Sequence, residues 1–370
     1  MHYDPIALAV PLFFVAIAVE LAVAKKRGVV VYRFADALTN LSCGITQQVM
    51  LLAYAALQLA VYAWVYEHAR FLSWDTPWIG WALAFLGVDF LYYWWHRLSH
   101  EVNVLWAAHV VHHQSEDYNL AVALRQAVLT SWTELPFYLP LALLGVPTIA
   151  FATMHALSTL YQFWIHTQLV GKVRGPFDRV LNLPSHHRVH HAINARYLDK
   201  NYGATLIVWD RLFGTYEEET ETPVYGITHP LASFSPMWAQ VHYWVELARM
   251  TKQARRPVDK VRLWFASPAF VPEGVEPAPI EASHPKYDRE VSRPLAIYVG
   301  AQYALVLVTT FSLLMWHRAI PTIPLVLLSV AVLGALVAVG GFFERRKWAT
   351  AVEGGRWLVA AAALALWARG

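Results

Sequence analysis

One cysteine, Cys43, in 370 residues leaves no basis for a disulfide framework or a thiolate metal cage. Charge is scarce as well: Asp, Glu, Lys and Arg make up 15% of the chain, against about 25% in soluble domains. The net charge of +3 is small and scattered, which excludes a nucleic-acid surface built on a basic patch. No phosphate loop, dinucleotide fingerprint or internal repeat occurs, so nucleotide-driven chemistry and solenoid architectures fall away too.

Apolar length takes the place of charge. Hydrophobic residues reach 57%, with a mean hydropathy of +0.36. Runs long enough for a spanning helix of about 20 residues lie at 5–24, 41–65, 77–95, 295–316, 320–343 and 350–368. A further apolar stretch at 129–166, divided at Gly145 and Pro147, reads as a hairpin of two short helices that enters and leaves on one side. The expected fold class is therefore all-α, a polytopic integral membrane bundle.

The first run lacks a positive segment before it, and Lys25, Lys26 and Arg27 follow it, so it reads as an anchor with its N-terminus outside. Alternating from there brings Trp95 and the Glu344–Lys347 turn to the cytoplasmic side. Seven prolines between Pro257 and Pro294 resist packed secondary structure. The chain divides accordingly into N-terminal membrane helices (1–76), a catalytic domain (77–250), a proline-rich linker (251–294) and accessory C-terminal membrane helices (295–370).

Against this apolar background stand 17 histidines, nine of them in three knots. His96 and His100 form an HxxxH; His109, His112 and His113 form an HxxHH; His187, His190 and His191 form a second HxxHH, preceded by His186. Helical spacing of three and four brings each set to one face, so each knot aims two or three imidazoles at one point. Eight such ligands exceed one site and fit two metals about 4 Å or more apart. Imidazole suits iron, zinc, copper and nickel; a buried di-iron pair is expected first, with zinc as its competitor. All three knots fall on the expected cytoplasmic side.

Asp89 lies seven and eleven residues before His96 and His100 and shares their helical face. A carboxylate inside an apolar run needs a partner, so Asp89 is expected as a ligand or as acceptor of an imidazole N–H. His166, at the end of the hairpin, is a ninth candidate ligand, whereas His155 reads as a polar contact between helices. Glu101, next to the first knot, is an acidic residue placed to bind metal or orient a ligand. His2, His68, His284 and His317 stand alone and read as structural or solvent-facing. Trp, Phe and Leu near 85–95 and 151–164 are expected to line a narrow apolar cleft.

The order HxxxH, HxxHH, HxxHH resembles the fatty acid hydroxylase and sterol desaturase superfamily of membrane di-iron oxygenases. The flanking words DFLYYWWHRLSHEVNVLWAAHVVHH (89–113), YQFWIHT (161–167) and LPSHHRVHHAIN (183–194) are closely similar to its alkylglycerol monooxygenase family. The resemblance covers 80–245. It implies O2-dependent hydroxylation beside the ether oxygen of alkylglycerol lipids, with tetrahydrobiopterin as reductant and membrane lipid as substrate. It also implies two iron ions held by His96, His100, His109, His112, His113, His187, His190 and His191, and a Glu101 needed for activity. The membrane would be the inner membrane of a bacterium or the endoplasmic reticulum of a eukaryote. Two other readings keep the histidines. One is a hydroxylase or desaturase of another lipid with a different electron donor. The other is a zinc carrier or sensor, which needs an ion path that the one-sided polar residues do not supply.

Overall fold

The computed structural model describes residues 5–74, 77–277 and 285–369. His2, His284 and the 278–284 part of the expected linker lie outside the described residues. Those residues form fifteen α-helices and no named strand; only two isolated bridges occur, Leu181 to Leu206 and Ala192 to Tyr225. Five helices are long and apolar enough to cross a bilayer: Leu8–Arg27 within α1 (Pro5–Arg27), α2 (Phe34–Ala69), α13 (Arg293–Trp316) with its 3-10 extension, α14 (Thr322–Phe343) and α15 (Ala349–Trp367). The protein is an integral membrane protein.

α2 begins at Phe34, seven residues before its apolar run, because Asp36, Thr39 and Asn40 are buried with partners at that end. α3 (Pro77–Glu101) carries the third run and the first histidine knot. The hairpin is α6 (Thr130–Leu143) and α7 (Thr148–Trp164). Gly145 turns it at φ +78°, and a Cβ there would come within 2.1 Å of the Leu72 carbonyl oxygen, so glycine is required. The Phe71 N–H donates to Leu143 and the Trp74 indole to Leu144, which ties the hairpin tip to the loop between α2 and α3.

Short elements build the metal end: α4 (Asn103–His113), α5 (Leu120–Ala123), α8 (Pro176–Val180), α9 (Pro184–His190) and α10 (Val208–Phe213). α11 (Pro236–Gln253) and α12 (Pro257–Phe265) pack beside them, with Leu247 and Leu263 closing on Ala107. The stretch expected to be an unstructured linker thus opens with a helix. Pro257 sits in its first turn, where the missing N–H costs nothing, so this proline starts a helix instead of breaking one. Further along, Lys286 pairs with Asp117 at 2.6 Å and the Tyr287 N–H donates to Glu116, returning the chain to the metal end.

Candidate metal centre

α3 and α4 meet at a single extended residue, Val102, which folds the first two knots against each other. The turn is fastened from outside: Asn103 donates to the Ala266 carbonyl through its backbone and to Leu263 through its side chain, and accepts from Tyr243. α9 brings the third knot. Its His186 accepts the Leu183 N–H at one ring nitrogen and contacts Asp178 at the other, so His186 caps the helix and stays apart from the remaining histidines.

Nine imidazoles then converge in two groups. His96, His100, His109, His113 and His190 form one, and His112, His166, His187 and His191 the other, with the donor atoms of each group within 4.8 Å of one another. The groups touch through the consecutive pair His112 and His113 and through His113 stacked on His191 at 4.4 Å. All eight motif histidines and His166 are brought together.

The tautomers follow from the acceptors. His96 donates its Nδ1 proton to the Tyr202 carbonyl (2.8 Å), His112 to Arg125 (2.9 Å), His166 to Gln162 (2.7 Å) and His190 to Lys200 (2.9 Å). A carbonyl oxygen only accepts, so in each ring Nδ1 holds the proton and Nε2 presents a lone pair. The Nε2 atoms of His112 and His166 lie 3.2 Å apart with no proton available to join them. Two bare lone pairs at that distance repel; a cation between them removes the conflict. The spacing also fits, since metal–nitrogen bonds of about 2.0–2.1 Å at cis or tetrahedral angles place donors about 3.0–3.4 Å apart. Other neighbouring Nε2 pairs lie at 3.0–3.2 Å. His100 Nε2 and His190 Nε2 are buried without a hydrogen-bond partner among the described residues, as metal-ligand atoms would be. The residues fit two metal ions and supply only neutral nitrogen.

Burial keeps them neutral. His112 is pushed down to about 4 and His190 to about 3, in both cases by desolvation first, with the bonds to backbone carbonyls opposing. His109, His113, His187 and His191 are lowered as well, by burial and then by one another. Neutral imidazole is the form that binds metal.

The carboxylates act at one remove. Asp89 accepts from the Thr205 N–H (2.8 Å), the Leu206 N–H (3.2 Å) and the Trp209 indole (2.8 Å), and meets no imidazole. Asp210, which sequence reasoning missed, accepts from the N–H groups of Tyr202 (2.7 Å) and Gly203 (2.8 Å) and from Thr215. Burial raises Asp210 to about 6, against those hydrogen bonds. Between them, the two carboxylates pin the 202–206 loop whose Tyr202 carbonyl orients His96. Glu101 lies outside both groups, its side chain 40% exposed, and accepts from Arg97 at 2.9 Å. Arg97 continues to the Tyr93 hydroxyl, and Tyr93 to Thr215. Arg125, also missed, is buried and donates to Val111, Asn40 and Gln114 while its carbonyl holds His112. Its one signal was a full charge in a short apolar stretch.

A cavity of about 330 Å³ opens from this centre into the helices. His109, His112 and His166 line it. Trp95 and Phe163 line it as expected; Tyr92, Phe13 of α1, Ile45 of α2 and Phe311 of α13 line it too. The first C-terminal helix, α13, is therefore part of the cavity wall.

Comparison with known proteins places the same residues in context. The Fatty acid hydroxylase family profile matches residues 81–215. The human alkylglycerol monooxygenase is 37% identical over 359 residues, covering 95% of this chain and 80% of the human protein. The zebrafish (Danio rerio) alkylglycerol monooxygenase is 38% identical over 326 residues, 86% of this chain and 72% of that relative. An ornithine lipid hydroxylase of Rhizobium tropici is 32% identical over 143 residues, 37% of this chain and 43% of its own. No solved structure matches the chain.

Proposed function

This chain belongs to the alkylglycerol monooxygenase family, and we propose that it cleaves the ether bond of alkylglycerol lipids oxidatively within a membrane. One oxygen atom of O2 enters the C–H bond beside the ether oxygen and the other leaves as water, with two electrons and two protons from a reductant. The resulting hemiacetal collapses to a fatty aldehyde and glycerol. The observation that carries this reading is that three candidate ligand imidazoles, His109, His112 and His166, line an otherwise largely apolar cavity between membrane helices.

Iron is the metal we assign to the two histidine groups, and two bound irons supply the redox chemistry that turns O2 on an unactivated C–H bond. The protein's own residues hold, orient and keep dry. His96, His112, His166 and His190 are fixed in one tautomer by backbone carbonyls, so their lone pairs are presented before any ion arrives. Trp95 lies with its ring 5.4 Å from that of His109, and both line the cavity. Glu101 and Asp89 are assigned positioning roles, Glu101 through Arg97, Tyr93 and Thr215 to Asp210, and Asp89 through the Thr205 backbone.

Tetrahydrobiopterin is the proposed reductant, delivered from the cytoplasm. Basic clusters at two helix ends support that orientation. Arg27 donates to the Leu169 carbonyl close to His166, and Arg346 pairs with Glu344, which accepts from the Phe234 N–H. The proposed catalytic unit remains 77–250, flanked by membrane helices at 1–76 and 295–370 and joined to the latter through 251–294.

Product analysis by mass spectrometry tests the reading. Purified, iron-loaded protein given 1-O-alkylglycerol, O2 and tetrahydrobiopterin should release fatty aldehyde, and a control without pterin should not. Two bound irons without aldehyde would overturn ether cleavage and direct the search to hydroxylation of another lipid, the activity named for the Rhizobium relative.

A further inference from the structure

The cavity is not uniformly oily. On α7, His155, Thr159 and Gln162 line it at spacings of four and three, and His166 follows four residues later, so one polar face runs from the metal centre along the hairpin. On α6, Glu134 faces that stripe, with its Oε2 3.3 Å from His155 Nε2. Glu134 is 9% exposed, and its Oε1 makes no hydrogen bond among the described residues. A carboxylate so placed among membrane helices is expensive unless something donates to it. It is also close to the reaction. The neighbouring Thr133 hydroxyl accepts from the Trp95 indole at 3.2 Å, the Trp95 ring packs against His109, and Glu134, Trp95 and His109 line the same cavity.

Across the cavity the character changes. Phe13, Ile45, Leu307 and Phe311, from α1, α2 and α13, offer hydrocarbon, with Gln47, Gln48 and Gln58 of α2 and Thr310 of α13 as the polar exceptions. A molecule filling both sides has hydrogen-bond donors within a few atoms of the reacting carbon and an apolar tail beyond it.

From this arrangement we infer that Glu134 and His155 bind the free hydroxyls of the lipid head, and that the α1–α2–α13 wall takes the chain. The inference rests on the ether-cleavage reading and deepens it. A carboxylate accepts two O–H donors side by side, which matches the vicinal diol of a 1-O-alkylglycerol. Lipids without hydroxyls there leave Oε1 of the buried Glu134 carboxylate without a donor, and the site rejects them for that reason.

The test compares kcat/KM for 1-O-hexadecylglycerol with that for hexadecyl propyl ether, which has the same ether bond and no hydroxyl. Wild type should prefer the diol strongly. In Glu134→Leu and Glu134→Gln, and in His155→Leu as an independent variant, the preference should fall by about 10- to 100-fold, chiefly through KM on the diol, with two metal ions per chain retained. An unchanged preference in variants that still hold both metals overturns the inference alone. Equal loss on both ethers together with loss of metal also overturns it, since Glu134 would then only support the fold. Wild type that cleaves neither ether overturns the ether-cleavage reading itself, which separates the two failures.

Discussion

Around the histidines, between α3 and the 202–215 loop, most buried side chains carry a polar atom with a named partner; Asp89, His96, Arg125, Asn182 and Asp210 are examples. α14 buries Val332, Ala335, Leu336 and Val339 instead, with no polar side-chain atom among them. Both regions are α-helical parts of one membrane protein, yet they are held by different physics. The packing at these α14 positions is van der Waals contact between apolar surfaces and tolerates substitution of similar volume. The metal end is a network in which each partner fixes the next, so a single missing atom leaves another buried group unsatisfied.

The sharpest way to break that contrast is at a ligand. His166→Ala should abolish turnover and remove the metal of the four-histidine group, while Leu336→Ala in α14 should leave metal content at the wild-type level; elemental analysis and aldehyde production read both. One step weaker, Asp210→Asn and Asp89→Asn touch no metal, yet should lower metal affinity by about 10- to 100-fold by loosening the loop that carries the Tyr202 carbonyl. Competition against a graded chelator measures it, and unchanged affinity in both would remove the loop from the account.

Proton competition tests the same network. His112 and His190 are lowered from the ordinary 6.5 to about 4 and about 3. Groups lowered in this way contribute stability above the unfolded value that is lost as pH falls towards the folded one. Metal-free protein should therefore unfold at steadily lower temperature from pH 6.5 down to about 4, and bound metal should offset the decline until the ligands protonate. A flat melting temperature over that range would contradict the buried neutral imidazoles. The smallest effect belongs to the contact between regions. A Cβ on Gly340 would come within 2.7 Å of the Phe234 carbonyl oxygen, so Gly340→Val should push α14 off the 231–236 loop. A cost of about 1–3 kcal/mol in thermal or denaturant unfolding is expected, with metal content kept.

The same contrast explains what the sequence revealed. Apolar runs mark α13, α14 and α15 within a few residues because hydropathy alone defines them. Spacing exposed the eight motif histidines, and helical phase added His166. Asp210 and Arg125 escaped notice because they act through backbone carbonyls and N–H groups, which leave no spacing rule in the residue letters. Asp89 stood out as a charge in an apolar run, but its partners come from a loop 116 or more residues away. The start of α2 was hidden by Asp36 and Asn40, whose polarity reads as a loop until their buried partners Ser115 and Arg125 are seen. Proline content suggested a linker where Pro257 starts a helix.

Counting metal in the purified, iron-reconstituted protein tests the central claim most directly, with Mössbauer spectroscopy to report whether the ions are coupled. The account predicts two irons per chain in one coupled pair, and loss of that coupling in His112→Ala. One iron per chain, or two uncoupled ions indifferent to His112, would contradict it.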